Sequence, residues 1–388
     1  MSKVKLCDIC DFQGGSQPPK SQWITLQQDG YIRMLQIRDF TQPGKVKAEY
    51  VKLTNTTKCC LKDDILIARY GASLGKILTG LSGAYNVAMT KAVPNEAVIS
   101  KKFLYYFLCS DTFQNCILNV GVRAAQAGFN KEDLSNIEIY CPDLSVQNKI
   151  CKILELVDIL INKSKLQLDE LDLLVKSRFV DMFGEFIKPE NMISLSEMIK
   201  DNIIIYHLDG NHGGLYPRTE EFVSEGIPYI GANAIIDGKV DFSKAKYLTL
   251  ERANGLRKGI AKNGDVLFAH NATVGPVALL RTEKQKVILS TSLTCYRCNF
   301  DEILPEYLEY FMRSQYFRSQ YERDMQQTTR NQVPITVQKT YLFYIPPIHL
   351  QKSFADFVQQ VDKSKLAIQQ SLDELETLKK SLMQQYFG

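Results

Sequence analysis

The chain has 388 residues, 45% of them hydrophobic, with 47 Lys and Arg against 43 Asp and Glu. Such a length suggests two or three domains of ordinary size, and this hydrophobic content excludes a disordered chain. The positive balance is too small for a nonspecific nucleic-acid binder, and it falls in residues 1–146, which hold 17 basic and 13 acidic side chains.

Apolar runs are broken by charges well before the ~18 residues a membrane span needs. Met1 to Cys10 carries Lys3, Lys5 and Asp8 and has no apolar stretch of signal-peptide length. The expectation is a soluble chain of the cytoplasm, without a membrane partner and with its ten cysteines reduced. Cys7/Cys10 and Cys295/Cys298 have Cys-x-x-Cys spacing, but zinc modules place two such pairs about 15–20 residues apart. These lie far apart in the chain and read as buried or strand cysteines, not as a metal site.

From the N-terminus, residues 65–68 read as a short apolar strand followed by a turn. Residues 101–109 carry aromatics at helical spacing, and residues 136–140 read as a strand leading to Pro142. Then comes a long helix. Ile150, Leu154, Val157, Ile161, Leu168, Leu171, Val175 and Met182 follow alternating steps of three and four, with Ser164 filling its turn. Ile153, Leu160 and Leu174 widen the stripe. Further on, residues 266–269, 287–289 and 293–297 read as strands, residues 305–313 as a helix, and residues 340–345 as a strand ending at Pro346-Pro347. A second long helix carries Phe354, Val358, Val361, Ile368, Leu372, Leu375 and Leu382, interrupted by Lys365 and Lys379.

The order is an internal duplication. Gln147 to Gly184 aligns without gaps to Gln351 to Gly388; Leu168-Asp169-Glu170-Leu171 matches Leu372-Asp373-Glu374-Leu375, and Phe183-Gly184 matches Phe387-Gly388. Weaker echoes precede each helix. Gly14-Gly15 and Pro18 echo Gly213-Gly214 and Pro217, Gly44-Lys45-Val46 echoes Gly238-Lys239-Val240, and the segment from Asp64 to Ala68 echoes that from Asp265 to Ala269. Two copies are too few for a solenoid, so a pseudo-two-fold molecule is expected. Each helix of about 34 residues spans roughly 50 Å at 1.5 Å per residue, longer than a small domain is wide. The two helices are therefore expected to pair with each other rather than pack only on their own domains.

These residues resemble a known family. Tyr31 through Gln36-Ile37-Arg38-Asp39-Phe40, and Ile227-Pro228-Tyr229-Ile230 through Gly238-Lys239-Val240, are similar to the first strand region of a target recognition domain. Asp64 through Gly75-Lys76 is similar to its strand-and-loop signature, and residues 126–142 to its closing segment. The long helices ending in Phe-Gly resemble the two conserved regions of specificity subunits of type I restriction–modification enzymes. The resemblance covers essentially the whole chain. It implies a mixed α/β fold: recognition domains at residues 1–142 and 185–346, and spacer helices at residues 143–184 and 347–388 that form an antiparallel coiled coil. It implies that each domain reads half of a split site in double-stranded DNA. The helices then dock two modification (methyltransferase) subunits, and restriction subunits join. The second half departs from the pattern, with His270 to Pro276 standing in place of Arg69 to Lys76.

No catalytic constellation is visible. An adenine methyltransferase should carry an Asn/Asp-Pro-Pro-aromatic motif, whereas Pro18-Pro19 is followed by Lys20 and Pro346-Pro347 by Ile348. Gly71 to Lys76 is one residue short of a phosphate-binding loop, and Ile77 replaces its Ser/Thr. His207, His212, His270 and His349 lack metal-ligand spacing. No cofactor is expected, and the chain reads as non-catalytic. Base reading needs Arg, Lys, Asn and Gln on loops, because Arg pairs with guanine O6/N7 and Asn or Gln with adenine N6/N7. The candidates are Gln36, Arg38, Arg69, Tyr70, Ser73, Lys76, Arg123 and Gln126 in the first half. In the second they are Asn233, His270, Asn271, Thr273, Arg330, Asn331 and Gln332. Lys45, Lys47, Arg257, Lys258 and Lys262 suit phosphate contacts. The rival reading is a coiled-coil scaffold that bridges partners without touching DNA.

Overall fold

A computed structural model describes residues 3–121, 128–325 and 331–388. The chain divides into two compact units. One comprises residues 1–166 and 369–388, the other residues 167–368. The division cuts both long helices, so each unit holds half of a helix pair.

In the first unit, one four-stranded sheet runs in the order Cys10–Gly14, Met89–Pro94, Ile65–Ala68, Ile77–Leu78. A second runs Tyr50–Lys52, Tyr31–Leu35, Gly83–Tyr85, Cys59–Cys60. In the second unit the counterparts are Ile204–Asp209, Leu293–Cys298, Val266–Asn271, Thr273–Leu279, and a five-stranded sheet. That sheet runs Phe222–Val223, Lys246–Leu248, Ile227–Ile230, Val287–Leu289, Ile260–Ala261. In both units the central strand of the first sheet is apolar on both faces; Ile65–Ala68 is buried throughout. It lies between two other strands, and the helices Lys101–Cys109 or Pro305–Arg313 bring Phe103, Phe107, Tyr307 and Phe311 into the cores.

The duplication holds in the register of the strand ends, although the second unit adds irregularities between Ile204 and Tyr206 and between Phe268 and His270. Gly14 pairs with Thr90 and Asp209 with Thr294. Those threonines pair in turn with Ile67 and Phe268. Leu35 pairs with Tyr85 and Ile230 with Leu289. Gly14 and Asp209 are therefore equivalent, as are Gly15 and Gly210. The sequence echo that matched Gly14-Gly15 to Gly213-Gly214 is displaced. A Cβ on Gly15 would lie 2.1 Å from the Asn86 carbonyl oxygen and one on Gly210 would lie 2.3 Å from that of Ser290. This is the steric demand that fixes glycine at both.

The long helices are Leu144–Phe183 and Ile348–Phe387, 40 residues each, longer than the aligned repeat because each begins three residues before its glutamine. They pair antiparallel. In the first unit Lys165 Nζ lies 2.8 Å from Glu376 Oε1 and Lys379 Nζ 2.6 Å from Asp158 Oδ1. In the second unit Lys365 bonds Asp172, and Phe354 packs on Phe179 and Phe183. The two lysines that interrupt the apolar stripe thus cross to carboxylates on the other helix. Ile150, Leu154, Val157, Ile161, Phe354, Val358, Val361 and Leu372 are buried, and Leu168, Leu171, Ile368 and Leu375 half-buried. Ile150 and Leu154 also belong to the first unit's core with Phe387, so these helices both pair and pack on the domains.

Each helix is fastened by a fully buried glutamine. Gln147 Oε1 accepts from Ser100 N (2.9 Å) while its Nε2 donates to Val98 O (2.8 Å) and Pro142 O (2.7 Å). Gln351 repeats this with Leu304 N (2.8 Å), Glu302 O (3.1 Å) and Pro346 O (2.8 Å). Gln147→Leu leaves buried main-chain groups unpaired and is expected to cost about 3 kcal/mol of unfolding free energy, read from urea denaturation followed by circular dichroism. Gln147→Glu, which keeps the acceptor but replaces the donor, should fall in the same direction.

The second unit also buries a histidine. His207 faces Gln338 Oε1 at 3.2 Å, and the same oxygen accepts from Tyr296 Oη at 2.7 Å. Burial holds this imidazole down at about 4, whereas the unfolded chain protonates it near 6.5. The unfolded state thus binds more protons in this window. Stability should fall as pH drops below about 6.5 and go on falling until about pH 4, by roughly 2 kcal/mol at pH 5. A melting series from pH 8 to pH 5 checks this, and His207→Phe should flatten the slope.

Candidate nucleic-acid interface

In each unit the ends of these paired strands converge on one edge. In the first, Ser16 N bonds Tyr85 O, Asn86 N bonds Leu35 O, and Arg69 N bonds Ala88 O. The turn formed by Asn86, Val87 and Ala88 is therefore flanked by the segments leaving Cys10–Gly14, Tyr31–Leu35 and Ile65–Ala68. The second unit builds the same edge around Ser290, Thr291 and Ser292. Ser290 N bonds Ile230 O, Ala232 N bonds Ser292 Oγ at 2.9 Å, and His270 N bonds Ser292 O.

On the first edge Glu49 organises three side chains. It accepts from Lys20 Nζ (2.5 Å), Gln36 Nε2 (3.0 Å) and Arg38 Nη2 (2.9 Å), and the Lys20 side chain holds it below the usual carboxylate range. Arg38 stays half-exposed, so its fork is oriented without being consumed. Arg69 bonds Phe129 O at 3.4 Å and lies 5.1 Å from the centroid of the exposed Tyr70 ring. Tyr70 bridges Gly128, where any Cβ would lie 2.5 Å from the tyrosine ring. Ser73 is half-buried and its carbonyl accepts from Lys76 N, leaving the Lys76 side chain exposed. Lys45 and Lys47 are exposed. Arg123 and Gln126 lie outside the described residues.

The second edge has different chemistry on the same frame. Asn233, exposed, occupies the position of Arg38 by the register above. Instead of a loop with a 3-10 turn, residues 266–279 form one hairpin. It turns at Ala272, whose φ of 65° is the left-handed value the tip requires. Asn271 bridges Gln332, and Ala272 N bonds Asn331 O. Asn331 and Thr273 are exposed, Asn271 and Gln332 half-buried. Arg257, Lys258 and Lys262 are exposed. Arg330 lies outside the described residues.

His270 must be withdrawn as a base reader. It is 2% exposed, its Nδ1 donates to Val333 O at 3.0 Å, and burial lowers its affinity for a proton. By register it is the counterpart of Arg69, and both side chains bond the carbonyl of the residue after the bridge, Val333 or Phe129. Both act as clasps that close the loop onto the final segment of the domain. Sequence reading missed the polar groups on the connecting turns. These are Ser16, Asn86, Ser290, Ser292 and the run Asp209-Gly210-Asn211-His212. The one signal for that run in the sequence is Gly210, a glycine under the same steric demand as Gly15.

No group of three or more His, Cys, Asp or Glu side chains able to hold a metal occurs among the described residues. Cys10, Cys295 and Cys298 are buried, and burial pushes the Cys10 thiol up to about 12. Among those residues no helix is long and apolar enough to cross a membrane.

Comparison with known proteins agrees with this architecture. The profile of the Type I restriction modification DNA specificity domain matches residues 1–171 and 206–377. The type I restriction enzyme MjaVIII specificity subunit of Methanocaldococcus jannaschii is 21% identical, covering 98% of this chain and 90% of that protein. A putative MjaX specificity subunit from the same organism is 27% identical over 42% of this chain and 39% of its own. Among solved structures, a chain from a study of the assembly and conformational transition of the type I R-M system superposes with a TM-score of 0.62. It is 17% identical and covers 100% of this chain and 97% of that one. The S subunit from M. genitalium gives 0.57 at 15% identity, covering 100% and 96%. With two copies of the family's domain on one duplicated frame, the chain belongs to the type I restriction–modification DNA specificity family, whose members are the non-catalytic specificity subunits of these systems.

Proposed function

We propose that the two edges read the two unlike halves of a split, asymmetric site in double-stranded DNA. The observation that carries this reading is a strand frame shared by the two units on which equivalent edge positions differ in chemistry: exposed Arg38 stands where the second unit has exposed Asn233, and Gly14 where it has the buried Asp209. Packing alone would not require equivalent loops to diverge in donor and acceptor pattern. Arg38 and Lys76 suit guanine edges and Asn233 and Asn271 suit adenine edges. Lys45, Lys47, Arg257, Lys258 and Lys262 suit phosphates. The long helices set the gap between the halves and dock two methyltransferase subunits. Restriction subunits join that complex, and its work is done in the cytoplasm. The chain supplies recognition, and the partners supply DNA adenine methylation and cleavage. A scaffold that never meets DNA would leave the divergence of these loops without a use.

Exchanging residues 1–142 for those of a relative should alter one half of the methylated motif and leave the other half and the gap intact, as read by genome-wide mapping of methylated bases. A change in both halves, or a palindromic motif, defeats the reading. Shortening both helices by one seven-residue repeat should change the gap while preserving the bases. The purified chain alone should neither methylate nor cut DNA; methyl transfer by a preparation free of partner subunits contradicts it.

A further inference from the structure

The run Asp209-Gly210-Asn211-His212 leaves the edge strand of the second unit and is fixed at every residue. Gly210 is pressed against the carbonyl of Ser290, and a Cβ on Gly259 would lie 2.8 Å from Gly210 Cα. Asn211 is 3% exposed. Its Oδ1 accepts from Arg257 N (3.3 Å) and Lys258 N (3.1 Å), while its Nδ2 donates to Lys258 O (2.5 Å). The exposed basic pair Arg257-Lys258 therefore hangs from this run. Asp209 is sunk, and its Oδ2 lies 2.6 Å from His212 Nε2, whose side chain is 53% exposed. Nothing among the described residues bonds His212 Nδ1. An imidazole whose one nitrogen is committed to a buried carboxylate has its tautomer and direction set. In the neutral ring Nε2 carries the proton toward Asp209, and Nδ1 is left as an acceptor pointing away from the protein's own hydrogen bonds.

Among the described residues the first unit has no such device. Its equivalent of Asp209 is Gly14, and the space above it is taken by the Arg69 guanidinium, 3.8 Å from where a Cβ would stand. At one point of the shared frame, the first edge thus carries a clasping cation and the second a carboxylate capped by an imidazole.

Resting on the interface reading above, we propose that His212, positioned by Asp209, is a specificity-determining residue of the second domain. Its Nδ1 accepts a hydrogen bond from an exocyclic amino group in the major groove, adenine N6 or cytosine N4. The neighbouring Arg257-Lys258 pair suits the phosphates beside that base. Rigidity supports the assignment, because a reader held by a buried partner loses little freedom on binding.

The test uses the complex with its methyltransferase subunits and a set of duplexes carrying every single-base change in the mapped motif, compared by competition binding at fixed salt. His212→Ala should lower the preference for an amino-bearing base about tenfold at one position of the second half-site, leave the first half-site unchanged, and leave the salt slope unchanged. Asp209→Asn should weaken preference at that same position only. Duplexes with adenine or cytosine there identify which amino group is read. Melting curves verify that each variant is folded. A profile unchanged by His212→Ala overturns the proposal, as does a uniform loss of affinity with the salt slope reduced by about one, the mark of a phosphate contact. If Asn233→Ala or Arg38→Ala still alters its own half-site, the interface reading survives that failure; if all three variants leave every position unchanged, the interface reading falls as well.

Discussion

Everything in this molecule hangs on a glutamine at the foot of each long helix. Where a domain ends in a proline and a helix departs, the last loops leave buried main-chain carbonyls and N–H groups in need of partners. Gln147 and Gln351 each pair with two such carbonyls and one such N–H by inserting one amide into the wall of the preceding domain, where it is wholly shielded from water. A hydrogen bond in such surroundings is modest when made and expensive when missing, so the direction of the helix is held by the penalty for any other direction. The far ends are fixed differently. Phe387 packs on Phe103 and Phe107, and its carbonyl accepts from Thr112. Phe183 sits among Phe179, Tyr307 and Phe354. Each helix is thus anchored by a polar fastening at its first turn and an aromatic plug at its last.

Between those anchors the seam is thin. Many outward apolar side chains of the first helix, among them Leu156, Ile159, Leu173 and Leu174, are exposed, whereas the second helix places Gln360, Lys363, Thr377 and Leu378 at the matching positions. The pairing is held by a narrow apolar line and three ion pairs of exposed or half-exposed groups, each worth at most about 1 kcal/mol.

The helices, their repeat and the family were legible because heptad spacing is a local signal and survives in the order of residues. The pairing of Lys365 and Lys379 with carboxylates was not, since a charge in an apolar stripe looks like a fault until the opposing residue is known. The strand Ile65–Ala68 and the first four residues of Val266–Asn271 were legible as apolar runs, whereas the extension through His270 and Asn271 into a hairpin was not. The edge they form was only half legible. Arg38, Lys76 and Asn233 are exposed, as a base reader would have to be. His270, however, has the polarity of a reader and the surroundings of a core residue, and no spacing rule separates the two. The run from Asp209 to His212 escaped notice because its equivalence to Gly14 through Gln17 rests on sheet register, which pairs residues distant in sequence and leaves almost no identity to align.

The clasps and the fastenings share one trait. Arg69 and His270 grip carbonyls, and the two glutamines grip carbonyls and an amide. In each case the group being held is main chain. Every residue supplies a main-chain carbonyl, and every residue but proline a main-chain N–H, whatever its side chain. The framework therefore places almost no demand on the identity of the residues it holds, and the surface above it is free to drift. A protein fastened in this manner keeps its shape while its message changes, which allows new specificities to arise by substitution or recombination without a new fold having to be found each time.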